Sequence, residues 1–158
     1  MLIISAITIM LIVLGAVNYQ IANFSTFFPM FLVMTVFYWT IFWPRLFSKW
    51  LVFALALFQD ILYGTPVGIT AFLSLIYWGG IISQRRFLVR EQFLALWALF
   101  AVSLFFYIAV EFVAYSIYYK KILFSYEIIM RFLISVLIYP LVHKFFNSNQ
   151  MLLRQQKI

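Results

Sequence analysis

Three ionisable residues, Asp60, Glu111 and Arg131, lie inside long apolar runs of this 158-residue chain. Placing a charge at mid-depth in a bilayer costs ~2.5–3.5 kcal/mol on insertion scales, so such residues need a partner, a path to water or a function. Two carboxylates and a guanidinium can build a polar, partly hydrated pocket or a buried ion pair. The bland alternative is that each reaches headgroups or water alone. Arg131 has Glu127 one helical turn earlier, close enough to pair with it on the helix surface. Glu111 stands among Val110, Phe112 and Val113, which offer no path to water and point to a buried partner or a protonated carboxyl. Asp60 precedes the turn Gly64-Thr-Pro-Val-Gly68. A carboxylate there can accept hydrogen bonds from the amides that open the next helix near Pro66–Gly68, and the positive helix N-terminus favours it. A substrate-binding role and simple exposure are the other two readings of Asp60.

The machinery of an intramembrane enzyme is missing. Such sites need a serine or paired carboxylates with a base, or His and Glu at zinc-ligand spacing. The single histidine, His143, falls at the far end of the last apolar run from Asp60. The sequence has no Gly-x-Ser-x-Gly elbow, His-Glu-x-x-His pair or phosphate-binding glycine loop, and no cysteine for a disulfide or thiolate site. The expectation is a non-enzymatic protein without cofactor or metal.

These groups must be positioned by helices in lipid. Apolar residues make up 67% of the chain and charged ones 9%, against ~25% charged in an ordinary soluble domain. The mean hydropathy is +1.08. Too little polar surface exists to face water. The expected fold class is an all-α integral membrane protein, a single bundle of about six transmembrane helices. The spans are Leu2–Val17, Phe27–Trp43, Leu46–Tyr63, Pro66–Ile82, Gln92–Ile117 and Ile128–Val142. The first run opens without a basic segment or a small-residue cleavage site, so it reads as a retained helix rather than a signal peptide. Pro44 ends an aromatic stretch where a helix would leave the bilayer. Gly64 lets the chain reverse, Pro66 suits a first helical turn, Gly68 would permit close helix packing, and so would Gly79-Gly80. Eighteen residues give only ~27 Å of helix, so the third and fourth spans are either steep full crossings or a half-depth re-entrant hairpin.

A net charge of +7 is scattered between the apolar runs rather than gathered into a nucleic-acid patch. With both termini cytoplasmic, Arg45, Lys49, Arg85, Arg86, Arg90, Lys144, Arg154 and Lys157 lie inside and only Lys120 and Lys121 outside, which satisfies the positive-inside rule. The Gly64–Pro66 turn would then face outward, and Asp60, Glu111 and Arg131 would share the outer half. Trp39, Trp43, Trp50 and Trp78 are expected near the inner interface. Residues 143–158 form a short basic cytoplasmic tail, whose Met151-Leu-Leu beside Arg154 could make a surface turn or a small docking segment.

From Tyr38 to Trp78 the sequence resembles the MreD family of the bacterial rod-shape machinery. The features run in order: an aromatic helix ending at Pro44, an apolar helix carrying Asp60, the turn Gly64-Thr-Pro, and a helix opened by Val67-Gly68 and ending in Tyr77-Trp78. The most specific piece is Asp60-Ile-Leu-Tyr-Gly-Thr-Pro-Val-Gly68. Where the family often has a glycine one turn before the aspartate, this chain has Ala56. The resemblance implies a non-enzymatic inner-membrane scaffold that binds MreC, a single-span protein, and through it MreB, RodA and a penicillin-binding transpeptidase. It also implies a fold similar to the substrate-binding subunits of energy-coupling-factor vitamin transporters. The alternative function is therefore such a subunit, or a small carrier, with a pocket near Asp60. Against it, Leu2–Val17 lacks the Ala-x-x-x-Ala pattern those subunits commonly carry. A lone pore would need more polar lining than the chain has.

Overall fold

The computed structural model describes residues 6–14, 29–45, 47–121 and 126–155, with side chains up to residue 146. Among the described residues the regular elements are all helical: α1 (6–14), α2 (Phe31–Phe42), α3 (Lys49–Tyr63), α4 (Ile69–Leu88), α5 (Phe93–Tyr119) and α6 (Tyr126–Gln155). Of the expected first span only 6–14 is described. The connection 18–26 and much of the one between α5 and α6 lie outside the described residues.

α2 organises the rest. Its sequence, FLVMTVFYWTIF, has no polar face, and every residue from Leu32 to Ile41 is buried. Thr35 adds no polarity, because its hydroxyl donates back to the carbonyls of Phe31 (2.6 Å) and Leu32 (2.9 Å). A helix that is apolar all round has to be enclosed, and α3, α4 and α6 pack around this one. Its 12 residues span ~18 Å, well short of a ~30 Å hydrocarbon core. Within the stretch expected as the second span, α2 is thus sheathed by neighbouring helices of the bundle. Trp39 is wholly buried among them and packs on Phe146, ring centroids 5.3 Å apart. Trp50 does face outward, 72% exposed, with the Lys49 ammonium 5.7 Å from its ring.

Burying a short helix leaves its terminal amides and carbonyls without water, so other elements must satisfy them. At the start, the Met30 N–H donates to Ser135 Oγ of α6 at 2.9 Å. At the end, Arg85 of α4 reaches back to donate from Nε to the Ile41 carbonyl at 2.7 Å. A cation at a helix C-terminus is favoured by the dipole as well. Pro44 and Arg45 then turn the chain, and the Phe47 carbonyl accepts from Trp78 Nε1 at 3.2 Å.

α5 and α6 form the outer wall. α5 buries Leu96, Phe100, Leu104 and Tyr107 at three- to four-residue spacing and exposes Leu94, Val102, Phe106, Val113 and Ile117 on other faces. Phe100 stacks on Tyr139 of α6 at 4.1 Å and meets Phe37 of α2 edge-on at 5.3 Å, which locks three helices together. An exterior of large apolar side chains belongs in lipid. Phe93–Tyr119 and Tyr126–Phe146 are both long and apolar enough to cross a membrane.

Two helices continue beyond the expected spans. α4 runs to Leu88 rather than Ile82, and α6 runs to Gln155 through much of the expected tail. Polar residues mark where a membrane-compatible stretch stops, whereas a helix stops only where its backbone bonding fails. Neither Gly nor Pro interrupts residues 141–155. The glycines also change role. Among the described residues, a Cβ added at Gly68, Gly79 or Gly80 would meet no atom within 4 Å, so none of them serves close packing between the described helices of this chain. Gly64 (φ 64°) and Gly68 (φ 102°) are needed for their left-handed backbone. Gly79→Ala should therefore raise stability by up to ~1 kcal/mol, while Gly64→Ala should lower it by ~1–2 kcal/mol. Thermal unfolding of the two variants in one detergent would check this, and equal effects would refute it.

Candidate functional site: a hairpin clasp and a polar cavity

α3 and α4 make the most extensive helix pair in the bundle. The α3 face turned inward carries Val52, Ala56 and Asp60, one per turn and all wholly buried, with Ala71 equally buried on α4. Ala56 thus fills its place without leaving space exposed.

Asp60 closes the hairpin. Its Oδ2 accepts the Gly68 N–H at 2.8 Å, and its Oδ1 accepts the Thr65 hydroxyl at 3.1 Å. Its backbone carbonyl accepts the N–H groups of Gly64 and Thr65, the latter at 3.1 Å. One residue therefore ends α3, bridges the turn and takes an otherwise orphaned donor at the start of α4. The turn itself needs both positive-φ glycines, and Pro66 contributes its carbonyl to the Ile69 N–H at 3.3 Å. Val67 stands at the tip, 68% exposed.

Beside the clasp is a polar cavity of about 260 Å3. Gln59 and Tyr63 of α3, Glu111 and Tyr115 of α5, and Arg131 of α6 contribute to its walls. Tyr115 is tied to Thr70 of α4, oxygens 3.4 Å apart. Asp60 does not line this cavity. Thr65 separates the two, giving its hydroxyl to Asp60 while forming part of the wall. A second cavity of about 100 Å3 adjoins, lined by Gln59, Tyr63, Glu127 and Arg131. Arg131 thus lines both spaces, with Glu111 in the wall of the first and Glu127 in the wall of the second. The structure brings Glu111 and Arg131 to one cavity, sets Asp60 behind its wall with Gly64, Pro66 and Gly68, and leaves Pro44 at the opposite end of α2.

The same end of the bundle gathers the starts of α2, α4 and α6, the ends of α3 and α5, and Lys120 and Lys121. Arg45, Lys49, Arg85, Arg86, Arg90 and Lys144 lie toward the other end. His143 is there too, packed among the rings of Tyr38, Phe42, Phe93 and Tyr139. Among the described residues, no group of three or more His, Cys, Asp or Glu is placed to hold a metal ion. What the cavity offers is hydrogen bonding and opposed charge rather than a nucleophile with its base.

Three polar residues matter to this architecture and carried no signal in isolation. Ser135 caps α2, and Arg85 closes its other end. Trp97 of α5 donates from Nε1 to the Val136 carbonyl of α6 at 2.9 Å. That carbonyl is the one Pro140, four residues on, has no N–H to satisfy. A proline inside an apolar span was the available signal, since it guarantees a free carbonyl one turn back.

Among known proteins, a family model described as rod shape-determining protein MreD matches residues 1–149. No curated protein and no solved structure matches the chain. With nearly its whole length covered, the chain belongs to the MreD family, whose role is in rod-shape determination.

Proposed function

We propose that this MreD-family chain is a non-enzymatic scaffold of the bacterial elongation complex, seated in the inner membrane, that holds an MreC-like single-span protein against its lipid-facing surface. MreB, RodA and a penicillin-binding transpeptidase would be reached through that partner. The supporting observation is an apolar crevice of about 300 Å3 between α4 and α5. Ile76, Val102 and Phe106 flank it, each more than half exposed, and Tyr77 hydrogen-bonded to Ser103 at 2.9 Å forms its floor. Small residues such as Gly80 and Ser103 leave room for another helix to approach. The one-sided distribution of Lys and Arg supports cytoplasmic termini, the long α5 and α6 support a membrane seat, and the six apolar runs of the sequence support about six crossings.

The chain has no cysteine, so single cysteines report contacts without background. Cysteines at Ile76, Val102 or Phe106 should cross-link to the partner's membrane helix in native membranes, whereas Leu137→Cys on α6 should not. Cross-linking from Leu137 alone would move the contact to α6. Failure at every position together with loss of co-purification would sink the adaptor reading.

The polar cavity favours a second reading, a membrane subunit that binds a small solute, the alternative function raised by the sequence. A tightly co-purifying molecule would support it.

A further inference from the structure

We propose that the corner where the α2–α3 turn meets the end of α4 binds the phosphate of an anionic phospholipid, with Arg85 at its centre and Arg45, Lys49 and Arg86 around it. Backbone contacts build this corner. The Ile41 carbonyl accepts from Arg85 Nε at 2.7 Å and the Phe47 carbonyl from Trp78 Nε1 at 3.2 Å. The chain between Ile41 and Phe47 is therefore tied to α4 at two points about two helical turns apart. Arg45 lies inside that tied segment, Lys49 opens α3 just beyond it, and Arg86 follows Arg85. Arg45, Lys49 and Arg86 are exposed and Arg85 is half-buried.

Positive charge at this corner has no counterpart. The chain has four Asp and Glu side chains. Asp60 closes the opposite hairpin, and Glu111 and Glu127 line the cavities at that same far end. Glu91 alone lies at this end, exposed beside Arg90. Among the described residues, Lys49 meets the Trp50 ring and Arg85 the Ile41 carbonyl, and no carboxylate pairs with any of the four cations. Arg85 is also prepared for an anion. A guanidinium has five N–H donors, and the bond from Nε holds it in place while its Nη groups remain for a second acceptor. A fork already held loses less freedom when it forms a bidentate bond to phosphate.

The surroundings select a lipid as the source of that phosphate. Trp50 and Phe87 directly follow Lys49 and Arg86 and are 72% and 76% exposed. Large exposed rings beside cations suit the level where headgroups meet acyl chains. An acidic protein segment would satisfy the cations and leave those rings unmatched. A zwitterionic headgroup would bring its own ammonium against four cations, so anionic headgroups are favoured. The inference rests on a membrane seat for the chain and not on the adaptor reading. Its failure would leave cross-linking at the α4–α5 crevice untouched, and loss of that cross-linking would leave it standing.

The test adds equimolar phosphatidylglycerol and phosphatidylethanolamine to the full chain in detergent and counts the retained lipids by native mass spectrometry. Wild-type protein should retain phosphatidylglycerol at least about fivefold over phosphatidylethanolamine. The double variant Arg45→Gln/Arg86→Gln leaves the bond from Arg85 to Ile41 in place and should bring that ratio below about twofold. Lys120→Gln/Lys121→Gln removes the same net charge at the opposite end and should leave the ratio unchanged. Arg85→Lys keeps the charge, loses the fork and should lower the ratio at least about twofold. Wild-type protein without a lipid preference would overturn the proposal without recourse to any variant. Equal losses in the two double variants would overturn it by showing that net charge alone attracts the lipid, and an unchanged ratio in Arg85→Lys would remove its centre. Binding of polyglutamate in the absence of any lipid preference would assign the corner to an acidic protein segment and overturn it as well.

Discussion

Asp60→Leu should lower stability by roughly 2–5 kcal/mol and abolish rescue of rod shape in a deletion strain, while Asp60→Asn should keep most of both. Leucine matches the apolar surroundings but strands the Gly68 N–H and leaves the Thr65 hydroxyl only its longer bond to the backbone carbonyl at 60, 3.4 Å, in a place where Asp60 is wholly buried. Each stranded donor costs ~1–3 kcal/mol, and bonds to a charged acceptor lie at the upper end. Asparagine keeps an oxygen for Gly68, and the Thr65 hydroxyl can rotate to accept from its amide. What asparagine loses is the negative charge at the α4 N-terminus, ~0.3–1 kcal/mol. Detergent unfolding and cell-shape microscopy would measure the two effects separately. If both variants fail equally in cells while Asn remains stable, the charge itself is required and the clasp is not its main duty.

Trp97→Phe should cost ~1–3 kcal/mol, and Pro140→Ala should recover much of that loss. The tryptophan supplies a donor to a carbonyl that Pro140 leaves open, and bilayer surroundings provide no water as a substitute. Alanine at 140 restores the helical N–H, so the carbonyl no longer depends on α5. The double-mutant cycle should therefore show a coupling of about 1 kcal/mol between Trp97 and Pro140. Strictly additive losses in denaturant-titrated mixed micelles would show that Trp97 acts through packing alone. The pair also fixes register, since one bond ties a given turn of α5 to a given turn of α6.

Much of this protein was determined by sequence alone, and the reason is local. Apolar runs without water faces have to be helices in lipid, because only a helix satisfies its own backbone there. Pro44 and Gly64-Thr65-Pro66 break those runs where the backbone turns, so the helix ends beside them came close: α2 stops at Phe42 and α3 at Tyr63. Asp60 stood out because a carboxylate in an apolar helix beside a glycine turn has few ways to be satisfied, and its nearest donors are only eight residues away at most.

The rest was decided by how the helices rotate and cross. Hydropathy cannot tell a helix sheathed by protein from one sheathed by lipid, since both surroundings are apolar. Only packing showed that α2 is the centre and that Trp39 is core. The tertiary arrangement likewise turned Arg85 and Ser135, ordinary residues in sequence, into the two ends of that helix's hydrogen bonding. Glu111 and Arg131 share a cavity only because α5 and α6 present particular faces to each other, whereas Asp60, equally buried in apolar sequence, is turned away behind Thr65. Within one turn, local geometry leaves a side chain little choice of partner. Across helices, the choice belongs to the packing of the whole bundle.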